Sequence, residues 1–470
     1  MADRRVLSYL VVMLSTLLAA HYFLFVKVSK ANLPYVLVIM TFVLAIQRLN
    51  NDLIFHAVIA YTLGLFVNFV PGFGTLGLLS MTISLALYFA NQKVSIRLVN
   101  GKLLSLSIVF MFLSVLGSIV NNPISLFQKG LGAFYLIVCL LIMNMLAGYR
   151  LSKKDARFIV NVLSWTMIYS AVMSVNNYLG INASMSPLIR GSYSTFKAFY
   201  AFSMLGGGSF DYFLMFSPFF LTMLLNDNPY KLNLNKNMLF LAYLSSIIGT
   251  LLIFSKTKTV VLLATNLVVL LLYLSTLRLK RYAYATFMAG AVVLAVLIGN
   301  TFMGFDAVIK RFESQPRVFA AVIENPLVAR GTSRDDAFYW GMKRNTERIW
   351  FLGYGWDHTT LNRNAYFHGL SITHDRADFH SLYYSIFPVF GWFGGLIFIY
   401  WILSSIRKSN KVSQRCGVGY LNIVGKAFTA LFITLLLSGY SSCLLTEPSF
   451  LFLLFILMGI ANSVYYSAFS

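Results

Sequence analysis

Long apolar runs alternate with short polar joints along almost the whole of this chain. A run of about eighteen or more apolar residues, coiled as a helix, crosses a hydrocarbon layer roughly 30 Å thick. The pattern predicts such spans near Val6–Val26, Leu33–Ile46, Leu53–Val70, Leu76–Ala90, Leu103–Val120, Leu131–Tyr149 and Phe158–Leu179. It continues near Tyr212–Leu225, Met238–Phe254, Val260–Leu277, Tyr282–Thr301, Leu382–Ile406, Tyr420–Ser438 and Phe450–Phe469. The expected fold is an all-α polytopic membrane protein of about 14 transmembrane helices. The count falls to 12 if the short stretches Leu33–Ile46 and Tyr212–Leu225 do not cross fully. The rhythm stops only from 302 to 379, a long polar segment, and resumes at His380-Ser-Leu-Tyr-Tyr-Ser-Ile-Phe-Pro. Three regions follow: helices 1–11 in 1–301, one large loop in 302–379, and helices 12–14 in 380–470.

Composition agrees with the pattern. With 58% hydrophobic and 11% charged residues, and a mean hydropathy of +0.74, an ordinary soluble globule is excluded. A net charge of +22 invites a nucleic-acid partner, but the cations sit singly or in small groups between spans, where they set orientation. Arg4/Arg5, Arg48, Lys93/Arg97/Lys102, Arg150/Lys153/Lys154/Arg157, Lys231/Lys236, Arg278/Lys280/Arg281 and Arg407/Lys408/Lys411/Arg415 fall on alternate sides of the count. That face, with both termini, is expected in the cytoplasm, and 302–379 then faces outward, in a bacterium into the periplasm. The run Val6–Val26 is too long for a typical signal peptide and reads as a retained first helix. Cys139, Cys416 and Cys443 lack metal-ligand spacing and sit in or beside apolar segments, as inert packing residues do.

Groups able to do acid–base chemistry concentrate between Thr301 and Phe393. That stretch holds four of six histidines (His358, His368, His374, His380) and nine of fifteen acidic residues. His380 ends the polar segment and opens an apolar helix, which places an imidazole at the outer water–lipid boundary, ionisable near neutral pH. The plainer account is a helix cap or surface residue. Arg330, Arg334, Lys343, Arg344, Arg348, Arg363 and Arg376 crowd the same segment, where orientation offers little reason for them. They suit phosphate oxygens, or pair with acidic neighbours such as Asp335, Asp336 and Glu347 in a folded loop. Trp340, Trp350 and Trp356 suggest that the segment packs. Ser255-Lys-Thr-Lys-Thr259 joins two spans on the outer side. Its lysines either snorkel into headgroups or form a rigid cationic site.

In order and spacing, several elements resemble a known family. His380-Ser381, nine residues, then Gly391-Trp-Phe-Gly394 matches the His-[Asn/Ser/Gln]-x9-Gly-x-x-Gly signature of the bacterial O-antigen ligase and polymerase superfamily. Lys258-Thr-Val-Val-Leu262 is similar to that family's Arg-x3-Leu element, with lysine in place of arginine. Ser333-Arg334, Trp340 and Phe351-Leu-Gly353-Tyr-Gly355 resemble the Arg…Trp…Pro-Leu-Gly-x-Gly run of its large periplasmic loop. The resemblance covers about residues 185–406.

What the resemblance implies is a C-type membrane glycosyltransferase whose donor is undecaprenyl-pyrophosphate-linked glycan. It implies no cofactor, no metal and no nucleotide sugar. His380 would be the general base on the acceptor hydroxyl, with Asp378 a candidate to orient its imidazole. Lys258, Arg334 and, less directly, Arg190 would bind the departing pyrophosphate. The acceptor separates two members: a polymerase extends another lipid-linked repeat unit, and a ligase transfers to lipid A-core. Fourteen spans and the altered lysine element favour the polymerase, for which a chain-length regulator is a further expected partner beside membrane lipids. The rival class is a lipid-linked oligosaccharide flippase, which should carry charges within its spans and only short loops. This chain has the opposite distribution.

Overall fold

A computed structural model describes residues 54, 101–121, 125–178, 210–226, 232–251, 256–274, 351–353, 355–356, 382–439, 445 and 448–469. Among them all regular structure is helical. The helices are α1 (Gly101–Asn121), α2 (Leu126–Ala147), α3 (Lys153–Tyr178), α4 (Phe210–Leu225), α5 (Lys236–Leu251), α6 (Lys256–Leu274), α7 (Leu382–Arg415), α8 (Gly419–Gly439) and α9 (Pro448–Phe469). Each coincides with an expected span to within a few residues, except that α7 runs nine residues further, to Arg415. The expected spans Val6–Val26, Leu33–Ile46, Leu53–Val70 (Ile54 apart), Leu76–Ala90 and Tyr282–Thr301 lie outside the described residues, as does most of 302–379.

Among the described residues, four stretches are long and apolar enough to cross a membrane: Gly101–Asn121, Val389–Arg415, Gly419–Gly439 and Leu451–Phe469. How α1 buries its faces says which solvent it meets. Leu103, Ser107, Phe110, Ser114, Gly117 and Ser118 are turned inward, while Ile108, Val109, Phe112, Ile119 and Val120 are exposed. Three serines and a glycine share the inward side with Leu103 and Phe110 while the outward side is apolar, the reverse of a water-soluble helix and the arrangement lipid favours. Helices α6 and α7 likewise turn apolar residues outward, Leu263, Leu267 and Val268 on one and Leu396, Tyr400 and Leu403 on the other.

Local chemistry sets the helix ends. Ser152 and Asp155 form a capping box before α3: the backbone N–H of Ser152 donates to Asp155 Oδ2 at 2.9 Å, and that of Asp155 to Ser152 Oγ at 3.2 Å. Asn235 caps α5, its Oδ1 accepting from the N–H of Asn237 at 2.9 Å.

Helix α8 lies at the seam of two groups. On one side α7 packs against α1, α8 and α9, and α2 against α1 and α9; on the other α4 packs against α5, α6 and α8, and α5 against α3. Phe110, Phe390, Phe398, Trp401 and Phe455 fill the first group, with Phe110–Phe390 centroids 4.7 Å apart. In the second, Phe213, Phe216, Phe219 and Phe220 pack along α4, and Phe219 meets Phe428 of α8 edge-on. Asn266 of α6 donates to Ser217 of α4 at 3.0 Å, a polar pair closed off within apolar surroundings.

One end of the bundle is basic. The N–H of Leu151 donates to Ser467, Tyr420 donates to the Leu151 carbonyl, and Ser463 to that of Tyr149. These contacts gather the α2–α3 joint, the α7–α8 joint and the end of α9. Arg150, Lys153, Lys154, Arg157, Arg407, Lys408, Lys411 and Arg415 therefore belong to that end.

Candidate functional site

The polar segment meets the bundle in a short strap, residues 351–353 and 355–356. Gly353 has φ 64° and Gly355 φ 76°, left-handed values that an L side chain adopts only under strain. Both glycines lie against α1. The spacing in Phe351-Leu-Gly-Tyr-Gly355 thus has a backbone reason independent of any chemistry.

The surface of α1 is cut to receive the strap. A Cβ on Gly117 would overlap the Leu352 carbonyl oxygen and come 2.8 Å from that of Gly353. One on Gly355 would lie 2.5 Å from Ser118 Cβ and 2.6 Å from the Ser114 carbonyl oxygen. Backbone therefore meets backbone, which only glycine on both sides permits. Asn121 Nδ2 donates to the Gly353 carbonyl at 2.7 Å. Trp356 is 2% exposed and locks the far end. Its backbone N–H donates to Ser114 Oγ at 3.3 Å and its indole N–H to the Leu445 carbonyl at 3.1 Å. Its ring stacks on Tyr135 at 4.7 Å.

The strap's other neighbour is Gly391. This residue interrupts α7 with φ 71° and ψ 177°, a conformation essentially reserved to glycine. A Cβ there would strike the Phe351 carbonyl oxygen and come 2.6 Å from the carbonyl carbon of Leu352. Phe351 and Phe393 rings then meet at 5.4 Å across the junction. Gly394 plays a different part: a Cβ would sit 3.0 Å from Phe390 Cβ and 3.8 Å from the Phe110 ring. Of the two glycines of Gly391-Trp-Phe-Gly394, Gly391 therefore serves the contact with the strap, and the tight neighbour of Gly394 is Phe390 of its own helix.

The start of α7 is anchored as well. Leu382 is fully buried against Gly439, and the hydroxyl of Tyr383 donates to the Leu436 carbonyl, both on α8. The strap and the first turn of α7 therefore flank residues 357–381. His380, Asp378, Arg334 and Arg190 lie outside the described residues.

Lys258 is described, and its setting differs from a loop position. Residues Lys256 and Lys258 lie in the first turn of α6 rather than between helices. Lys258 is 9% exposed and shares its side of the helix with Leu262, Thr265, Asn266 and Val269, at spacings of four, seven, eight and eleven. That side holds the Asn266–Ser217 pair, and Val260, Leu263, Leu267 and Val268 form the apolar outer side. The ammonium stem thus enters protein rather than the lipid-facing surface.

What the structure brings together is the Phe-Leu-Gly-Tyr-Gly run and the Gly-x-x-Gly pair. Sequence reasoning missed the third partner, Gly117 with Ser114, Ser118 and Asn121 of α1. A run of small and polar positions at heptad-like spacing within an apolar span was the available signal. No protein-family model matches the chain, and no curated protein matches it.

Proposed function

We propose that this chain is a multi-pass glycosyltransferase of a bacterial cytoplasmic membrane. It transfers glycan from an undecaprenyl-pyrophosphate carrier on the outer face, as a surface-polysaccharide polymerase. One observation carries the reading: the Phe-Leu-Gly-Tyr-Gly run seats its carbonyls against Gly391 of the His-Ser-x9-Gly-x-x-Gly element. Two stretches some forty positions apart, each resembling a family motif, form one junction. His380 is two residues, or ~7 Å of chain, from the buried Leu382 at that junction.

The topology of the proposal is fourteen helices with 302–379 in the periplasm and both termini in the cytoplasm. Clustering of the described cations at the opposite end from the strap supports that orientation. In the reaction His380 takes the proton of the acceptor hydroxyl as its oxygen attacks the anomeric carbon. The bond from that carbon to the carrier's phosphate oxygen breaks, and the charge left on the diphosphate is met by cations. Lys258 and Arg334 supply it first, Arg190 further off. The inward direction of Lys258 supports a role deeper than a surface charge.

The test uses purified protein with lipid-linked repeat unit alone, and then with lipid A-core added. Chain growth without core identifies a polymerase; transfer only when core is present identifies the ligase instead. His380→Ala should abolish transfer while the protein still inserts, and wild-type product lengths in that variant remove the residue from the mechanism. Lys258→Ala and Arg334→Ala should lower turnover by roughly a hundredfold or more, with Lys258→Arg retaining activity. Three variants with equal, normal rates would place the cationic site elsewhere.

A further inference from the structure

The joint between α2 and α3 carries four cations and one acid in eight residues, Arg150-Leu-Ser-Lys153-Lys154-Asp155-Ala-Arg157. Counting charge along the sequence would set Asp155 against its basic neighbours. The fold turns it inward instead. Asp155 is 4% exposed, and its Oδ2 accepts from the Ser152 N–H at 2.9 Å, the Ser152 hydroxyl at 2.5 Å and the Tyr149 hydroxyl at 3.2 Å. Arg150, Lys153, Lys154 and Arg157 are all exposed, and among the described residues none of them pairs with an acid. Lys153 and Arg157 stand one turn apart on α3, a placement of like charges that is unfavourable by itself.

The patch is also held still. The Leu151 N–H donates to Ser467 of α9 at 2.8 Å, its carbonyl accepts from Tyr420 of α8 at 3.1 Å, and the Tyr149 carbonyl accepts from Ser463 of α9. Backbone on both sides of Arg150 is fixed to two other helices, so the cations form a surface of set shape. Its flanks are apolar: Phe469, two residues past Ser467, is 43% exposed, and Val418, two residues before Tyr420, is 44% exposed. Nucleic acid or an acidic protein in water would meet the cations and leave both apolar side chains exposed. A membrane surface, with an acidic polar layer over hydrocarbon, takes both. We propose that Arg150, Lys153, Lys154 and Arg157 form a docking surface for anionic phospholipid headgroups, with Val418 and Phe469 reaching the layer beneath them. This surface stands apart from the transfer chemistry: Tyr135, the strap's partner on α2, is twelve residues, ~18 Å, from that helix's end at Ala147.

The experiment takes the full chain in detergent micelles, titrates phosphatidylglycerol or phosphatidylcholine, and counts bound lipid by native mass spectrometry. Wild type should retain phosphatidylglycerol preferentially. Lys153→Gln/Lys154→Gln/Arg157→Gln should weaken that binding roughly fivefold per cation, about a hundredfold together. Arg407→Gln/Arg415→Gln removes two exposed cations of α7 from the same end and should change it little. If the triple variant does not fold, Lys154→Gln alone carries the test with its roughly fivefold loss. The proposal is overturned by equal retention of both lipids, by unchanged affinity in the α3 variants, or by as large a loss per cation in the Arg407/Arg415 variant. Polyglutamate retained ahead of phosphatidylglycerol would assign the surface to an acidic protein and overturn the lipid. Complete displacement of the lipid by millimolar inorganic phosphate would assign it to free phosphate, with the same consequence.

Discussion

Replacing Gly391 by alanine tests the junction where a single methyl group should matter most. With φ 71° and ψ 177°, an alanine there adopts a conformation costing ~1–3 kcal/mol. Its Cβ also overlaps the Phe351 carbonyl oxygen and the Leu352 carbonyl carbon, and forced overpacking adds ~1–3 kcal/mol. The sum, ~2–6 kcal/mol, competes with what holds the strap down. Burial of Trp356 supplies ~2–3 kcal/mol and each of its hydrogen bonds ~1 kcal/mol. The two totals are similar, so the strap should be largely released rather than the helix broken. Two measurements read this: chemical unfolding of the detergent-solubilised protein, and amide hydrogen exchange of the 351–356 peptide. A destabilisation of at least ~2 kcal/mol, with exchange in that peptide faster by tenfold or more, is expected. Gly130→Ala serves as the comparison. A Cβ there meets nothing within 4 Å and lies inside α2, so the change should be neutral or stabilise by up to ~1 kcal/mol. If Gly391→Ala unfolds within about 0.5 kcal/mol of wild type and exchange in 351–356 is unchanged, the glycine argument is wrong.

Trp356→Phe keeps an aromatic ring over Tyr135 but leaves the Leu445 carbonyl without its indole donor, a loss of ~1–2 kcal/mol by chemical unfolding. A neutral result would mean that water or another donor replaces the indole. Ser217→Ala and Asn266→Leu should each destabilise by ~1–3 kcal/mol, because each strands a buried partner, while the double variant should cost clearly less than their sum. Strict additivity in that cycle would show that the pair does not interact energetically.

Most of the helical architecture was legible because apolar length is a one-dimensional signal. Nine expected spans, from Leu103–Val120 to Phe450–Phe469, coincide with described helices. Their ends were less legible. The stretch around Ser255–Thr259 read as a joint because it is polar, yet α6 already begins at Lys256. A buried lysine at a helix start breaks the hydrophobic pattern without breaking the helix, since its stem packs and only its tip needs a polar surrounding. The extension of α7 to Arg415 was hidden for a similar reason: polar residues after Ile406 end the apolar run but not the helix. In the candidate site, glycines marked both motifs, but the sequence cannot say which surface a glycine admits. Gly391 receives a carbonyl from forty residues upstream, whereas the tight neighbour of Gly394 is Phe390 of its own helix.

Gly117 and Asn121 also constrain how the molecule is made. The hydrogen bond from Asn121 to Gly353 spans 232 positions. A ribosome adding about 5–20 residues per second needs roughly ten to fifty seconds to supply the missing carbonyl. For that interval the notch on the first described helix stands empty beside the translocation machinery. The last contact of the α1 notch therefore closes only after the chain that fills it has been made, well after α1 itself.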